Sequence, residues 1–151
     1  MRPTRTPPAA LGSPDETEQQ FYEALREGDV ERLMRVWADD DDVYCVHPSG
    51  SRTMGAAAIR ATFEAIFSHG PINVRAQSVR RVQTHDSAVH SVIEKVQPSP
   101  AAATAGMQPV WVLATNVYVK TLHGWRLVAH HASPSTVAER LETAEAPLVL
   151  H

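Results

Sequence analysis

The spacing of apolar and polar positions changes halfway along the chain. In the first half, apolar residues recur every three or four positions, which predicts helices over residues 13–27, 29–37 and 55–67. In the second half, apolar and polar residues alternate, as they do in half-buried strands. The predicted long strands begin at Ile72, Ala88, Val110 and Trp125.

The first predicted helix carries the residues that helix ends need. Ser13 can cap the free amides, Pro14 suits the first helical position, and Glu16 completes a capping box. Gly28 ends this helix, and Asp29 can cap the next one. We therefore expect ordered structure to begin at Ser13.

The order of the elements indicates an α+β fold. One short strand, Val43–Val46, lies among the three helices and stops at His47-Pro48, and the four long strands follow. Because helices and strands are segregated along the chain, a parallel α/β sheet is excluded. A long antiparallel meander leaves one sheet face for the helices to cover.

The chain divides into one domain and two tails. Residues 1–12 are rich in proline and lack an apolar face, which predicts a disordered tail. Residues 13–134 form the predicted domain, with a long connection over 97–107. Residues 135–151 form a C-terminal tail in which a short helix is an option.

Composition limits the partners and the compartment. The chain has 151 residues and a net charge of −3, and no basic run could follow a phosphate backbone, so we expect no nucleic-acid partner. No apolar run reaches the length of a membrane span. The single cysteine, Cys45, cannot form an internal disulfide, which favours a reducing, cytoplasmic location.

Several short segments stand in a distinctive order along the chain: 28–31, 37–40, 47–50, 55–60, 114–118, 124–127 and 130–133. This ordered set resembles the ketosteroid isomerase-like and SnoaL-like proteins of the nuclear transport factor 2-like superfamily. The resemblance covers about residues 13–134. It implies a cone-shaped fold, in which three N-terminal helices pack on a curved antiparallel sheet around a pocket, and a homodimer through the outer sheet face.

The resemblance also implies roles for single residues. The family's tyrosine oxyanion donor falls at Phe21, which has no hydroxyl, and the neighbouring Tyr22 is expected to point elsewhere. The family's general base falls at His47, which can act as a base near neutral pH. The protonated aspartate of the family falls at Asn116, which can donate a hydrogen bond without an unusual pKa.

Two of these positions have a structural alternative. His47 ends a strand at a turn, where a histidine can equally be a cap or a surface residue. Asn116 interrupts an apolar strand and shares a face with Val112, Ala114 and Tyr118. A buried amide costs free energy unless it is hydrogen-bonded, so Asn116 either faces a pocket or belongs to a network that fixes the sheet.

The remaining histidines leave alternatives open. His130 and His131 are consecutive on a strand, so only one of them faces inward. The resemblance places His130 inward, whereas the apolar alternation of the strand favours His131, and a bulge would reconcile the two. His90 and Glu94 share a strand face and can line a pocket, although an exposed or dimer-facing position is favoured for Glu94.

Aromatic residues supply the candidate pocket wall. In a cone fold, the inner core and the pocket wall are the same surface. The candidate ligand-binding residues are Trp37, Tyr44, Phe63, Phe67, His90, Trp111 and Tyr118. Cys45 lies in an apolar strand and is interpreted as a small core residue. No compact metal motif is present, so we expect neither a metal nor a cofactor.

These patterns lead to two hypotheses about function. The first is a pocket for an apolar or aromatic carbonyl ligand, in which isomerisation, cyclisation or dehydration proceeds by proton transfer. His47 would be the base, and Asn116 and His130 would be the donors. The alternative is a module for homo-oligomeric association, or for ligand binding without turnover.

Overall fold

A computed structural model describes residues 11–135. The predicted tail up to residue 10 and the predicted C-terminal tail beyond Ser135 lie outside the described residues. Leu11 and Gly12, which were assigned to the N-terminal tail, are part of the folded unit. The Leu11 carbonyl accepts a hydrogen bond of 2.7 Å from the Trp125 amide, and the Gly12 amide donates to Glu16 Oε2 over 3.0 Å.

Four helices and six strands make up the described chain. The helices are α1 (Pro14–Glu27), α2 (Val30–Val36), α3 (Ala56–Phe67) and α4 (Pro100–Thr104). The strands are β1 (Tyr44–Val46), β2 (Arg52–Met54), β3 (Val74–Gln83), β4 (Ser87–Val96), β5 (Val110–Thr121) and β6 (Gly124–Pro134). None of the helices within residues 11–135 is long and apolar enough to cross a membrane.

The helix ends form as the sequence predicts. The Ser13 side chain accepts a hydrogen bond from the Glu16 amide at the start of α1, and Asp29 does the same for Arg32 at the start of α2. Gly28 ends α1 with a φ of 64°, a conformation that costs glycine little. This tight connection lays α2 back against α1.

All six strands form one sheet in the order β2-β1-β6-β5-β4-β3. The long strands are antiparallel neighbours, as expected, whereas β1 runs parallel to β6. Strand β2 was not predicted, because its three residues are too few to show alternation. Helix α4 lies within the predicted loop 97–107, where Ser99 caps it.

Two bulges set the direction of side chains in the sheet. One lies in β3 between Ala76 and Ser78. The other lies in β6, where Ala129 pairs with Val117 but Leu127 pairs with Tyr118, so Val128 is the extra residue. A bulge shifts the alternation of the residues that follow it. The result is that Leu127 and His130 both face the helices.

The apolar core fills the space between the helices and the concave sheet face. Phe21 and Leu25 of α1, Leu33 of α2 and Ile59 of α3 are buried against this face. Trp37 ends α2 in an extended conformation, and its backbone forms a bridge with Leu127. The predicted α+β cone with helices on a curved sheet is therefore confirmed.

Candidate functional site

Seven polar side chains lie inside the cone between α1 and the central strands. Each is no more than 7% exposed. We call them the interior polar cluster: Glu18, Tyr22, His90, Glu94, Asn116, Tyr118 and His130. Helix α1 contributes two of them, β4 two, β5 two and β6 one. Buried polar groups are costly unless hydrogen-bonded, so the connections among them decide what the cluster can do.

Glu18 is the acceptor at one end of the cluster. Its Oε2 atom accepts from the Tyr118 hydroxyl at 2.7 Å and from the Asn116 amide nitrogen at 3.3 Å. His90 Nδ1 lies 2.9 Å from the same oxygen. Three hydrogen-bonding groups around one oxygen atom are typical of an ionised carboxylate, because its oxygens can only accept hydrogen bonds. His90 Nδ1 is accordingly the protonated ring nitrogen.

Asn116 connects the two ends of the cluster. Its amide nitrogen donates to Glu18 and, over 3.0 Å, to the Tyr22 hydroxyl. Because a carboxylate accepts only, this nitrogen must face Glu18, and the amide oxygen therefore faces His130. The distance from Asn116 Oδ1 to His130 Nδ1 is 2.5 Å. Both amide hydrogens and the amide oxygen are thus in use.

Glu94 and Tyr22 form the second carboxyl–hydroxyl pair. The Tyr22 hydroxyl donates to Glu94 Oε2 over 2.6 Å. Burial, reinforced by the charge of Glu18 and opposed by the Tyr22 hydrogen bond, raises the pKa of Glu94 to about 7. Burial also raises the pKa of Tyr22 and of Tyr118 well above their ordinary values, so both hydroxyls stay protonated.

His130 is a neutral imidazole with a fixed tautomer. Burial, aided by the nearby charges of His47 and His131, lowers its pKa to about 3. Since Asn116 offers an oxygen to Nδ1, that nitrogen carries the proton and Nε2 keeps its lone pair. Nε2 has no hydrogen-bond partner within residues 11–135.

His47 lies at the edge of the same face. It follows Cys45 by two residues, and Cys45 pairs with His130 across β1 and β6. His47 is half-buried, its Nε2 lies 3.8 Å from Cys45 Sγ, and its ring centre is 5.5 Å from that of Phe63. Burial lowers the pKa of His47, so this ring too is neutral at pH 7.

The cysteine next to His47 is not an activated nucleophile. Burial raises the pKa of Cys45 to about 12, and the thiol therefore stays protonated. Within residues 11–135, no three histidine, cysteine or acidic side chains are grouped as metal ligands would be. The chemistry that the site offers is hydrogen bonding and proton transfer.

The structure brings four of the ten sequence-predicted site residues together inside the cone. Asn116, His130, His90 and Tyr118 belong to the interior polar cluster. Between the two candidate histidines of β6, it places His130 inward and leaves His131 exposed, because the bulge at Val128 shifts the alternation.

The aromatic candidates divide between two sheet faces. Phe63 packs beside His47, and Phe67 packs against Phe63 with the two ring centres 5.7 Å apart. Trp37 is 2% exposed in the core, and its indole nitrogen has no partner in the described part of the chain. Tyr44 and Trp111 alternate with inward residues and lie on the outer face, where Lys95 Nζ is 5.4 Å from the Trp111 ring. These two do not line the interior.

Three members of the cluster escaped the sequence analysis. Tyr22 was expected to point away from the site, but the inward face of α1 is wide enough to include both Phe21 and Tyr22. Glu18 lies one helical turn before Tyr22 and was not considered, because a glutamate does not mark an apolar face. The sequence favours an exposed position for Glu94, but its exposed fraction is only 6%, because it lies on the same inward face of β4 as His90.

The fold and the site define a class: cone-shaped α+β domains with a polar interior beneath the helices. The family model for the SnoaL-like domain matches residues 15–137. The chain therefore belongs to the SnoaL-like domain family. A search of curated proteins finds no match.

Solved structures are similar over nearly their whole length. A protein from Thiobacillus denitrificans, described as a calcium/calmodulin-dependent protein kinase type II association domain, is 32% identical. The alignment covers 84% of this chain and 98% of that one, with a TM-score of 0.74. A protein from Streptomyces avermitilis, described as a dehydratase of the NTF2-like family, is 29% identical; the coverage is 82% and 94%, and the TM-score 0.69.

A protein from Shewanella frigidimarina, described as a ketosteroid isomerase, is similar to this chain in fold alone. It is 16% identical, the alignment covers 78% of this chain and 92% of that one, and the TM-score is 0.65.

Proposed function

We propose that this protein binds an apolar carbonyl compound and moves a proton next to its carbonyl group. The observation that carries the proposal is a pair of neutral imidazoles, His47 and His130, on one side of the β1–β6 pair. A neutral imidazole is the form that accepts a proton, and a general base works best when its pKa lies near the working pH, which favours His47 over His130.

The surroundings of the pair favour an apolar ligand. The His47 ring packs beside Phe63, and the His130 ring centre is 5.3 Å from that of Phe21. Small-molecule sites are mostly apolar, with a few polar groups that fix orientation. A flat or aromatic ketone could stack on the half-buried His47 ring, beside the partly exposed Phe67, and bring its α-carbon toward the His47 imidazole.

The hydrogen bonds assign different roles to the three candidate residues. His47 is half-buried and can meet a ligand from solvent, so we assign it the base. His130 has an unused Nε2 lone pair that can accept a hydrogen bond from a ligand, but its pKa of about 3 makes it too weak a base to take the proton. Asn116 uses all of its polar atoms inside the cluster and has none left for a carbonyl oxygen. We therefore assign Asn116 a positioning role toward His130, in place of the direct donor role expected from the sequence.

The similar dehydratase from Streptomyces avermitilis supports a proton-transfer reaction, because dehydration next to a carbonyl also begins with loss of an α-proton. The isomerase-like structure supports only the fold, given its 16% identity.

Exchange of the α-protons of 2-tetralone in D2O tests the proposal, since one proton leaves the carbon and one deuteron returns. We expect the protein to accelerate this exchange, and His47→Gln to slow the protein-dependent rate by roughly 100-fold because glutamine keeps polarity but has no basic nitrogen. The rate is measured by proton NMR, and binding of the ketone by titration should stay close to that of the unchanged protein.

His69→Gln is the matched control, because His69 is exposed at the end of α3, away from the cluster. The assignment of His47 as the base is wrong if the unchanged protein does not accelerate the exchange. It is also wrong if the His47→Gln variant accelerates the exchange as much as the unchanged protein does.

The outer sheet face supports a second candidate function, homo-oligomeric association. Val89 is 40% exposed there, and it pairs with the half-buried Val117 at the centre of the sheet. Leu113 and Trp111 of β5 are apolar on the same face, beyond a polar row formed by Ser91, Thr115 and His131. Partly exposed apolar residues grouped on one sheet face are typical of protein interfaces. The association domain from Thiobacillus denitrificans, at 32% identity, supports the same candidate.

We expect the protein to sediment as a homodimer at micromolar concentration, and Val117→Lys to yield monomers because it places a charge in a desolvated interface. Leu122→Lys is the control, since Leu122 is fully exposed at the β5–β6 turn and outside this face. Sedimentation of the unchanged protein as a monomer would exclude both the dimer and the association function.

A further inference from the structure

A cleft of about 410 Å³ lies between α1 and the edge strand β3, apart from the His47 side of the cone. Gln77 lines it beside five charged side chains: Asp15, Glu18, Arg26, Arg75 and Arg81. The β3 bulge falls within this lining, between Ala76 and Ser78. Bulges at sheet edges commonly redirect side chains toward a site. The volume is in the range of ligand pockets.

The charges of the cleft do not balance internally. Arg81 donates to Asp15 over 2.7 Å, so these two compensate each other. Arg26 donates to a neutral group, the Val74 carbonyl, over 3.0 Å. Arg75 has no hydrogen-bond or ion-pair partner within residues 11–135. Two guanidinium groups therefore face the cleft without a carboxylate of their own.

The lining holds three arginines and two carboxylates, so the one remaining carboxylate leaves a net charge of +1 and forms no ion pair with Arg26 or Arg75. Glu18 directs Oε2 into the cluster, toward Tyr118, Asn116 and His90. His90 Nε2 is buried next to this part of the cleft, 4.0 Å from Asp15 Oδ1, and it has no hydrogen-bond partner within residues 11–135. His90 Nε2, with the ring proton on Nδ1, is an acceptor, so the excess on the cleft side of the cluster is one of positive charge alone.

We propose that this cleft binds the phosphate group of a small phosphate monoester. Two guanidiniums without an ion-pair partner in a cleft of net positive charge suit a phosphate monoester, which carries a charge of about −2 near pH 7. A guanidinium also presents parallel N–H groups that suit phosphate oxygens. A monocarboxylate supplies only half of this charge. The site is separate from the proton-transfer site and does not depend on it.

The test is an NMR titration of the arginine Nε–H signals of the full chain with inorganic phosphate, at constant ionic strength. We expect saturable shifts at Arg26 and Arg75, and weaker binding of acetate. Arg75→Gln should weaken phosphate binding about tenfold, as loss of a charge-assisted hydrogen bond does. Gln77→Glu, which adds a negative charge without removing a contact, should weaken it at least as much.

Arg80→Gln is the matched control, because Arg80 is an exposed arginine of the same strand that pairs with Ser91 and does not line the cleft. Phosphate binding to Arg80→Gln should equal that of the unchanged protein. The proposal is overturned if no saturable shift occurs, if acetate binds as tightly as phosphate, or if Arg80→Gln and Arg75→Gln lose affinity equally.

Discussion

Replacing Asn116 by leucine is expected to lower the free energy of unfolding by about 3 kcal/mol, because three buried partners lose a hydrogen bond at once. His130 Nδ1 would lose its acceptor, and Tyr22 and Glu18 would each lose a donor. The added apolar surface of leucine offsets only part of this cost. Thermal unfolding should show a melting temperature lower by roughly 10 °C.

Gln83→Leu is the control for this substitution. Gln83 is exposed at the end of β3 and its side chain has no hydrogen bond within residues 11–135, so its replacement should change stability by less than about 0.5 kcal/mol. If Asn116→Leu were as stable as the unchanged protein, the amide would not hold the cluster together. Asn116 would then be better explained as a group that awaits a ligand.

The second large effect is a pH dependence that comes from Glu94. Its pKa is about 7 in the folded protein and 4.5 as an isolated side chain. Between pH 4.5 and pH 7, Glu94 is ionised in the unfolded chain and still protonated in the folded protein. The Glu94 contribution to stability is therefore fully present below pH 4.5 and is lost as the pH rises through 7. The difference corresponds to about 3 kcal/mol.

Glu94→Gln should remove this contribution, because a glutamine is neutral at every pH and can still accept from the Tyr22 hydroxyl. Near pH 8 we expect the variant to be more stable than the unchanged protein by up to about 3 kcal/mol. Near pH 5 the two should be nearly equal. Urea unfolding at both pH values gives the comparison, and His130 contributes equally to both proteins.

Glu64→Gln provides the reference for a carboxyl outside the cluster, since Glu64 is exposed on α3. The difference in the free energy of unfolding between Glu64→Gln and the unchanged protein should be the same at both pH values. A Glu94→Gln difference that also stays constant with pH would mean that Glu94 ionises normally inside the cone, and that water reaches it.

The sequence determined the local features of this fold. The caps at Ser13, Gly28 and Asp29 and the alternation of the long strands are properties of short segments, and they form as predicted. Periodicity also placed Asn116 on the same inward face as Tyr118. Such features depend on neighbouring residues alone, so a reader of the sequence has all the information that fixes them.

Only the tertiary structure decided which polar groups meet. Glu18 and Asn116 are 98 positions apart, and no local pattern marks them as partners. The inward direction of His130 depends on the bulge at Val128, which arises from pairing with β5 and not from the sequence of β6 alone. The pKa values of Glu94 and His130 follow from burial beneath α1, a property of the assembled layers. Local sequence sets backbone preference and face, whereas desolvation and long-range hydrogen bonds exist only once the helices cover the sheet.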